Sequence, residues 1–149
     1  MKSHKRIVKT PIKDLIVKCF MEDPLPLCIS RAKDGTYVEV NKAALKIMGL
    51  PRKKVIGHTS IELGFISAEL RKLLIDDIKK QGFAKNIPGK VTLNHQVVIK
   101  LLFKINPIKM GKETFFMICA TEVANHKSTI GALSDDKLYK ITAVRNRII

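Results

Sequence analysis

The chain contains no tryptophan, only two tyrosines and six phenylalanines in 149 residues. The interleaving of aromatic and basic residues that stacks nucleic-acid bases is therefore missing. Long apolar runs are missing too. Runs such as Val97-Val98-Ile99 and Leu101-Leu102-Phe103 are broken by Lys100 and Lys104, far short of the roughly 20 residues a membrane span requires. No apolar core follows the basic start Met1 to Arg6, so no secretory leader is expected and the protein is read as cytoplasmic. Cysteine is scarce: Cys19, Cys28 and Cys119 are odd in number, widely separated and set in apolar patterns, as reduced packing cysteines are. The four histidines, His4, His58, His95 and His126, lie in the tail or in expected loops without ligand spacing, so a metal site is not expected. There is no P-loop, Gly-x-Ser-x-Gly or His-Glu-x-x-His pattern, and no enzyme activity is expected.

Positive charge is abundant. Lys and Arg number 28 against 13 Asp and Glu, a formal charge of +15. Clustered, such charge would bind nucleic acid or an anionic membrane by counterion release. Here the lysines are scattered over every segment and far outnumber the arginines, which describes a solvated surface. A nucleic-acid-binding protein using this Lys-rich surface remains the alternative function. The 46% of apolar residues suffice for the core of one domain.

Thr10-Pro11 reads as a helix start with a capping hydroxyl, and Ile12, Leu15, Ile16, Cys19 and Phe20 then form one apolar stripe. The helix must end before Pro24 and Pro26. Leu25 to Arg31 reads as a strand, Asp34-Gly35 as a tight hairpin turn and Tyr37 to Val40 as the partner strand. Asn41 is placed to cap a helix Lys42 to Met48 that ends at Gly49. Pro51 opens a short turn closed at Gly57, and Thr59 and Glu62 have capping-box spacing. Ser67 starts a longer helix ended by Gly82, with Leu70, Leu73, Leu74 and Ile78 expected inward. Strands are expected at Val91 to Leu93, Val97 to Ile105 and Thr114 to Val123, separated by Asn94-His95-Gln96 and Met110-Gly111-Lys112. A final helix is expected from Ser134, with Leu138, Ile141 and Val144 apolar.

This order predicts an α+β domain, a five-stranded antiparallel sheet with short helices on one face. With Asp34-Gly35, Val40-Asn41, Ala43-Ala44, Ile47-Met48-Gly49 and Val55-Ile56-Gly57 in that sequence, the region resembles a PAS domain over about residues 24–124. Residues 1–23 then form an N-terminal amphipathic flanking helix and 125–149 a C-terminal linker and helical tail. Where the family often carries Asp-Ile-Thr at the end of the last strand, this chain has Glu122-Val123-Ala124: the acid is kept and the hydroxyl lost.

The resemblance implies a sensory and signal-transduction module of bacterial type, sensing a ligand or partner and dimerising. It further implies an output module, such as a histidine kinase, a cyclase or a transcriptional regulator, on a longer chain or a partner. The cofactor is unknown. The light-sensing flavin subclass places a cysteine in Gly-Arg-Asn-Cys, whereas the corresponding run is Gly57-His58-Thr59-Ser60, and Ser60 cannot form the thioether. Haem-binding relatives supply a histidine from the long helix, and Ser67 to Gln81 contains none.

An inward set is expected of Cys28, Ser30, Leu73, Leu74, Leu101, Phe103, Phe116 and Ile118. These would line an apolar pocket with few polar anchors, or else fill the core without a guest. The outer sheet face would show Val98, Leu102, Phe115, Met117 and Cys119, an apolar patch where a wet face is usual. The stripe Ile12, Leu15, Ile16, Cys19 and Phe20 is its expected cover, within one chain or, in the dimer favoured here, across a two-fold axis.

Overall fold

The computed structural model describes residues 10–94 and 96–123. The expected helix from Ser134, the basic start, Ala124 and His4, His95 and His126 lie outside them. In order come α1 (Ile12–Glu22), β1 (Leu27–Arg31), β2 (Tyr37–Val40), α2 (Lys42–Met48), α3 (Arg52–Val55), α4 (Ala68–Gln81), β3 (Ala84–Leu93), β4 (Val97–Met110) and β5 (Glu113–Glu122). The strands form one antiparallel sheet in the order β2-β1-β5-β4-β3.

Local chemistry sets most of the helix boundaries. The Asn41 side chain accepts from the Ala44 N–H at 2.9 Å and starts α2, and Gly49 ends it at φ 66°. Thr59 and Glu62 close the expected capping box, each side chain accepting from the other's backbone N–H. Ser67 caps α4 at the Leu70 N–H and Gly82 ends that helix at φ 82°. The start of α1 differs: Pro11 holds the N-cap position and no side chain bonds the first turn, so the expected Thr10 hydroxyl cap is not formed.

Two strands are longer than the sequence pattern suggests. β3 begins at Ala84 rather than Val91, and runs through Pro88 and Gly89. It is an edge strand, and an edge tolerates a residue that cannot donate to the ladder; the register shift between Ala84 and Ile87 coincides with Asn86 at φ 56°. β4 reaches Met110 through Pro107. Its pairing with β3 ends at Ile105↔Ala84, so Pro107 needs a partner only on the β5 side, opposite Phe116.

The core lies between the concave sheet face and the helices. Cys28, Tyr37, Val40, Leu101, Phe103, Ile105 and Phe116 from the sheet meet Ala44, Met48, Val55, Phe65 and Leu74. Gly89 lets α4 come close: a Cβ there would stand 2.7 Å from Leu70 Cδ2 and 2.8 Å from Phe103 Cε2.

Candidate ligand cavity

Two adjoining cavities lie on the concave face, each with about 60 Å³ of free volume. They share Tyr37, Ile66, Phe103 and Ile118, which form the wall between them. The first is apolar, bounded by Cys28 on β1, Ala44 and Met48 on α2, Phe65, and Val91 and Leu101 on β3 and β4. The second has a polar end, where Ser30, Tyr37, Ser60 and Arg71 meet Leu74, Ile75, Ile105 and Phe116. Volumes of this size hold a few waters or a compact organic group, well short of the roughly 300 Å³ of a drug-sized ligand site.

Of the expected inward set, Cys28 and Leu101 line the apolar cavity, Ser30, Leu74 and Phe116 the polar one, and Phe103 and Ile118 both. Leu73 does not belong: it is 55% exposed. The inward stripe of α4 is Leu70, Arg71, Leu74, Ile75 and Ile78. At ~100° per residue Leu73 falls roughly 130° from the middle of that stripe. Tyr37, Ser60, Ile66 and Arg71 were not anticipated. Nothing local marks a basic residue on a helix as a cavity residue.

Burial governs the chemistry of the site. It pushes the Cys28 thiol up to about 12, with the nearby Cys119 adding to the effect. Burial likewise raises the Tyr37 phenol, while its hydrogen bond to Ser60 and the charge of Arg71 act in the opposite direction. At neutral pH Cys28 is a thiol, not a nucleophilic thiolate. The Arg71 side chain packs across Gly35, where a Cβ would stand 2.5 Å from its Nη1. Gly35 sits at φ 78° in the hairpin, whose turn is fixed by the Thr36 N–H donating to Asp34 Oδ1 at 2.9 Å. That bond holds the Asp34 carboxyl below its usual range.

Asn41 connects the apolar cavity to the flanking helix. Fully buried, it accepts from the Leu27 and Ala44 N–H groups and donates to the carbonyls of Leu25, at 2.8 Å, and Asp23, at 3.3 Å. The exit of α1 is thereby tied to the start of α2, and a Lys42–Glu22 ion pair joins the same two helices at the surface.

The outer face carries Phe115, Met117 and Cys119 half-buried and Val98 exposed. Leu102 shares their side of the sheet but is only 3% exposed, so it is closed to a partner in this conformation. The α1 stripe is open: Ile12, Leu15 and Ile16 are 70%, 50% and 62% exposed, Cys19 is exposed and Phe20 half-buried. The helix runs beside α2 rather than across the sheet, so it does not supply the intramolecular cover considered from the sequence.

No protein-family model matches the sequence, and no curated protein matches it. Solved structures do. A PAS domain from a two-component sensor histidine kinase superposes with a TM-score of 0.64 at 8% identity, over 74% of this chain and 96% of that chain. The PAS domain from the fruit-fly ELK potassium channel gives 0.59 at 16%, over 76% and 98%. The Rhodobacter sphaeroides LOV protein gives 0.64 at 13%, over 91% and 95%. The chain has the PAS fold.

Among the described residues no helix is long and apolar enough to cross a membrane, and no group of three or more His, Cys, Asp or Glu side chains is placed to hold a metal.

Proposed function

We propose that the protein is a sensory and signal-transduction module that binds a compact small molecule between its sheet and helices and relays occupancy through α1 to a second copy of itself. The observation that carries this is the pair of adjoining cavities whose apolar member touches α2, the helix that Asn41 ties to α1. A guest that moves α2 changes the geometry Asn41 imposes on the exit of α1, and a ligand biases such an equilibrium by its differential affinity for the two arrangements. The open stripe of α1 and the half-buried outer-face residues Phe115, Met117 and Cys119 support a homodimer, since a two-fold pairing buries both surfaces at once. The signal then passes to an output module of the kinase, cyclase or transcriptional class, carried on the same polypeptide or by a partner. The PAS fold is compatible with this role, and burial keeps Cys28 a packing thiol at neutral pH.

Native mass spectrometry of the purified protein, set against its denatured mass, tests both halves. The expected result is a dimer carrying extra mass. A bare-mass species that binds no small molecule removes the sensor reading, and a monomer at tens of micromolar removes the dimer.

A further inference from the structure

Among the described residues, the cation that lines the polar cavity has no partner of opposite charge. None of the ion pairs among the described residues involves Arg71, although its half-buried guanidinium lines a cavity that is otherwise mostly apolar. Its field reaches the Tyr37 phenol, which is hydrogen-bonded to Ser60, so guanidinium, phenol and hydroxyl converge on one end of the space. Gly35, lacking a side chain, leaves the guanidinium room to lie there. A charge in apolar surroundings is costly unless paired, and the planar guanidinium fork matches a carboxylate.

We propose that Arg71, with Ser60 and Tyr37, is the anion subsite of the cavity and that the ligand is a compact aliphatic monocarboxylate. This rests on the ligand-binding reading above and deepens it. One guanidinium neutralises one negative charge, whereas a phosphate dianion would leave a second charge against Ile75, Ile105 and Phe116. The tail lies against Leu74, Ile105 and the shared wall at Phe103 and Ile118, so the guest is amphipathic, with its head at Arg71 and a short aliphatic chain within the same cavity. The small volume limits the chain to a few carbons.

The test is a titration by isothermal calorimetry and backbone amide NMR with 3-methylbutanoate, its uncharged isostere 3-methylbutanamide, and inorganic phosphate, at fixed ionic strength. Wild type should bind the carboxylate roughly ten- to a hundredfold more tightly than the amide, with shifts at Tyr37, Ser60 and Ile118. Arg71→Gln should abolish that preference while leaving the amide affinity in place, and Arg71→Lys should retain part of it should the glutamine variant fold poorly. Equal binding of carboxylate and amide, or a preference that survives Arg71→Gln, overturns the subsite and leaves the ligand-binding reading standing. Phosphate binding as tightly as the carboxylate overturns the monocarboxylate assignment. Silence from all three probes overturns the subsite and counts against the cavity reading as well.

Discussion

The two faces of the sheet solve the same problem in different ways. On the concave side Cys28, Leu101, Phe103, Ile105 and Phe116 of β1, β4 and β5 are buried in one core with residues of the helices, and the buried Asn41 has all its hydrogen bonds made. On the outer side Phe115, Met117 and Cys119 stay half-exposed, and the flanking helix with a matching apolar stripe lies elsewhere. Stability is therefore concentrated on one face, and the other is the one the proposed function assigns to a second copy. The sharpest way to break this contrast is Phe103→Ala. Phe103 is buried, walls both cavities and touches the approach of α4 to Gly89. Its loss should cost about 3–5 kcal/mol, read from urea denaturation, and join the two cavities into one. The same truncation at exposed Val98 on the outer face should cost well under 1 kcal/mol.

Asn41→Ala comes next. It removes the α2 cap and leaves part-buried backbone groups at Leu25 and Leu27 without their partner, for an expected loss of about 1–3 kcal/mol. Hydrogen exchange should show α1 and the start of α2 loosening together. Gly89→Ala places a methyl against Leu70 and the Phe103 ring and should destabilise by about 1–3 kcal/mol, with the same change at Gly57, where nothing lies within 4 Å, separating crowding from the strain of its positive φ.

The concave face also carries a pH signature, and the outer-face Cys119, raised by burial in the same direction, shares its sense. Burial holds the Cys28 proton to about 12 from an ordinary 9.0. The unfolded chain gives up that proton first, so the contribution is whole below pH 9 and is lost progressively as pH rises toward 12. Tyr37, raised by burial in the same sense, steepens the fall. Urea midpoints should hold steady through neutral pH and drop above 9, and Cys28→Ala should flatten part of that drop.

What was legible in the sequence was local. The caps at Asn41, Ser67 and the Thr59–Glu62 box, and the stops at Gly49 and Gly82, depend on residues within four positions of each other, and each lies where its hydrogen bonds require it. Leu73 was misjudged because a leucine pair, Leu73-Leu74, is ambiguous by one position in the helical period, and the sheet decides which of the two it faces. β3 was read as too short because Pro88 and Gly89 lower strand propensity. Only the tertiary position, at an edge for Pro88 and under Leu70 for Gly89, turns them into suitable residues. Arg71 has no local signal as a cavity residue, because its route into the cavity depends on Gly35, 36 positions away in sequence.

The smallest stability effect is expected where the largest functional one is. Ile12→Ser with Ile16→Ser changes two residues of α1 that are 70% and 62% exposed and form no part of the core. Within one chain such a change should shift stability by no more than about 0.5 kcal/mol per site. If the stripe is buried against a second copy, each side chain removed from water contributes roughly 1.5–3 kcal/mol at full burial, and both are present twice in a two-fold pair. The dimer dissociation constant should then rise by at least about tenfold, measured by sedimentation across a concentration series, while the far-UV spectrum and the monomer's urea midpoint stay in place. A falling urea midpoint with an unchanged dissociation constant would mean that α1 closes over its own sheet in solution, and the contrast between the two faces would then be a property of one arrangement of a hinged helix whose direction Asn41 sets.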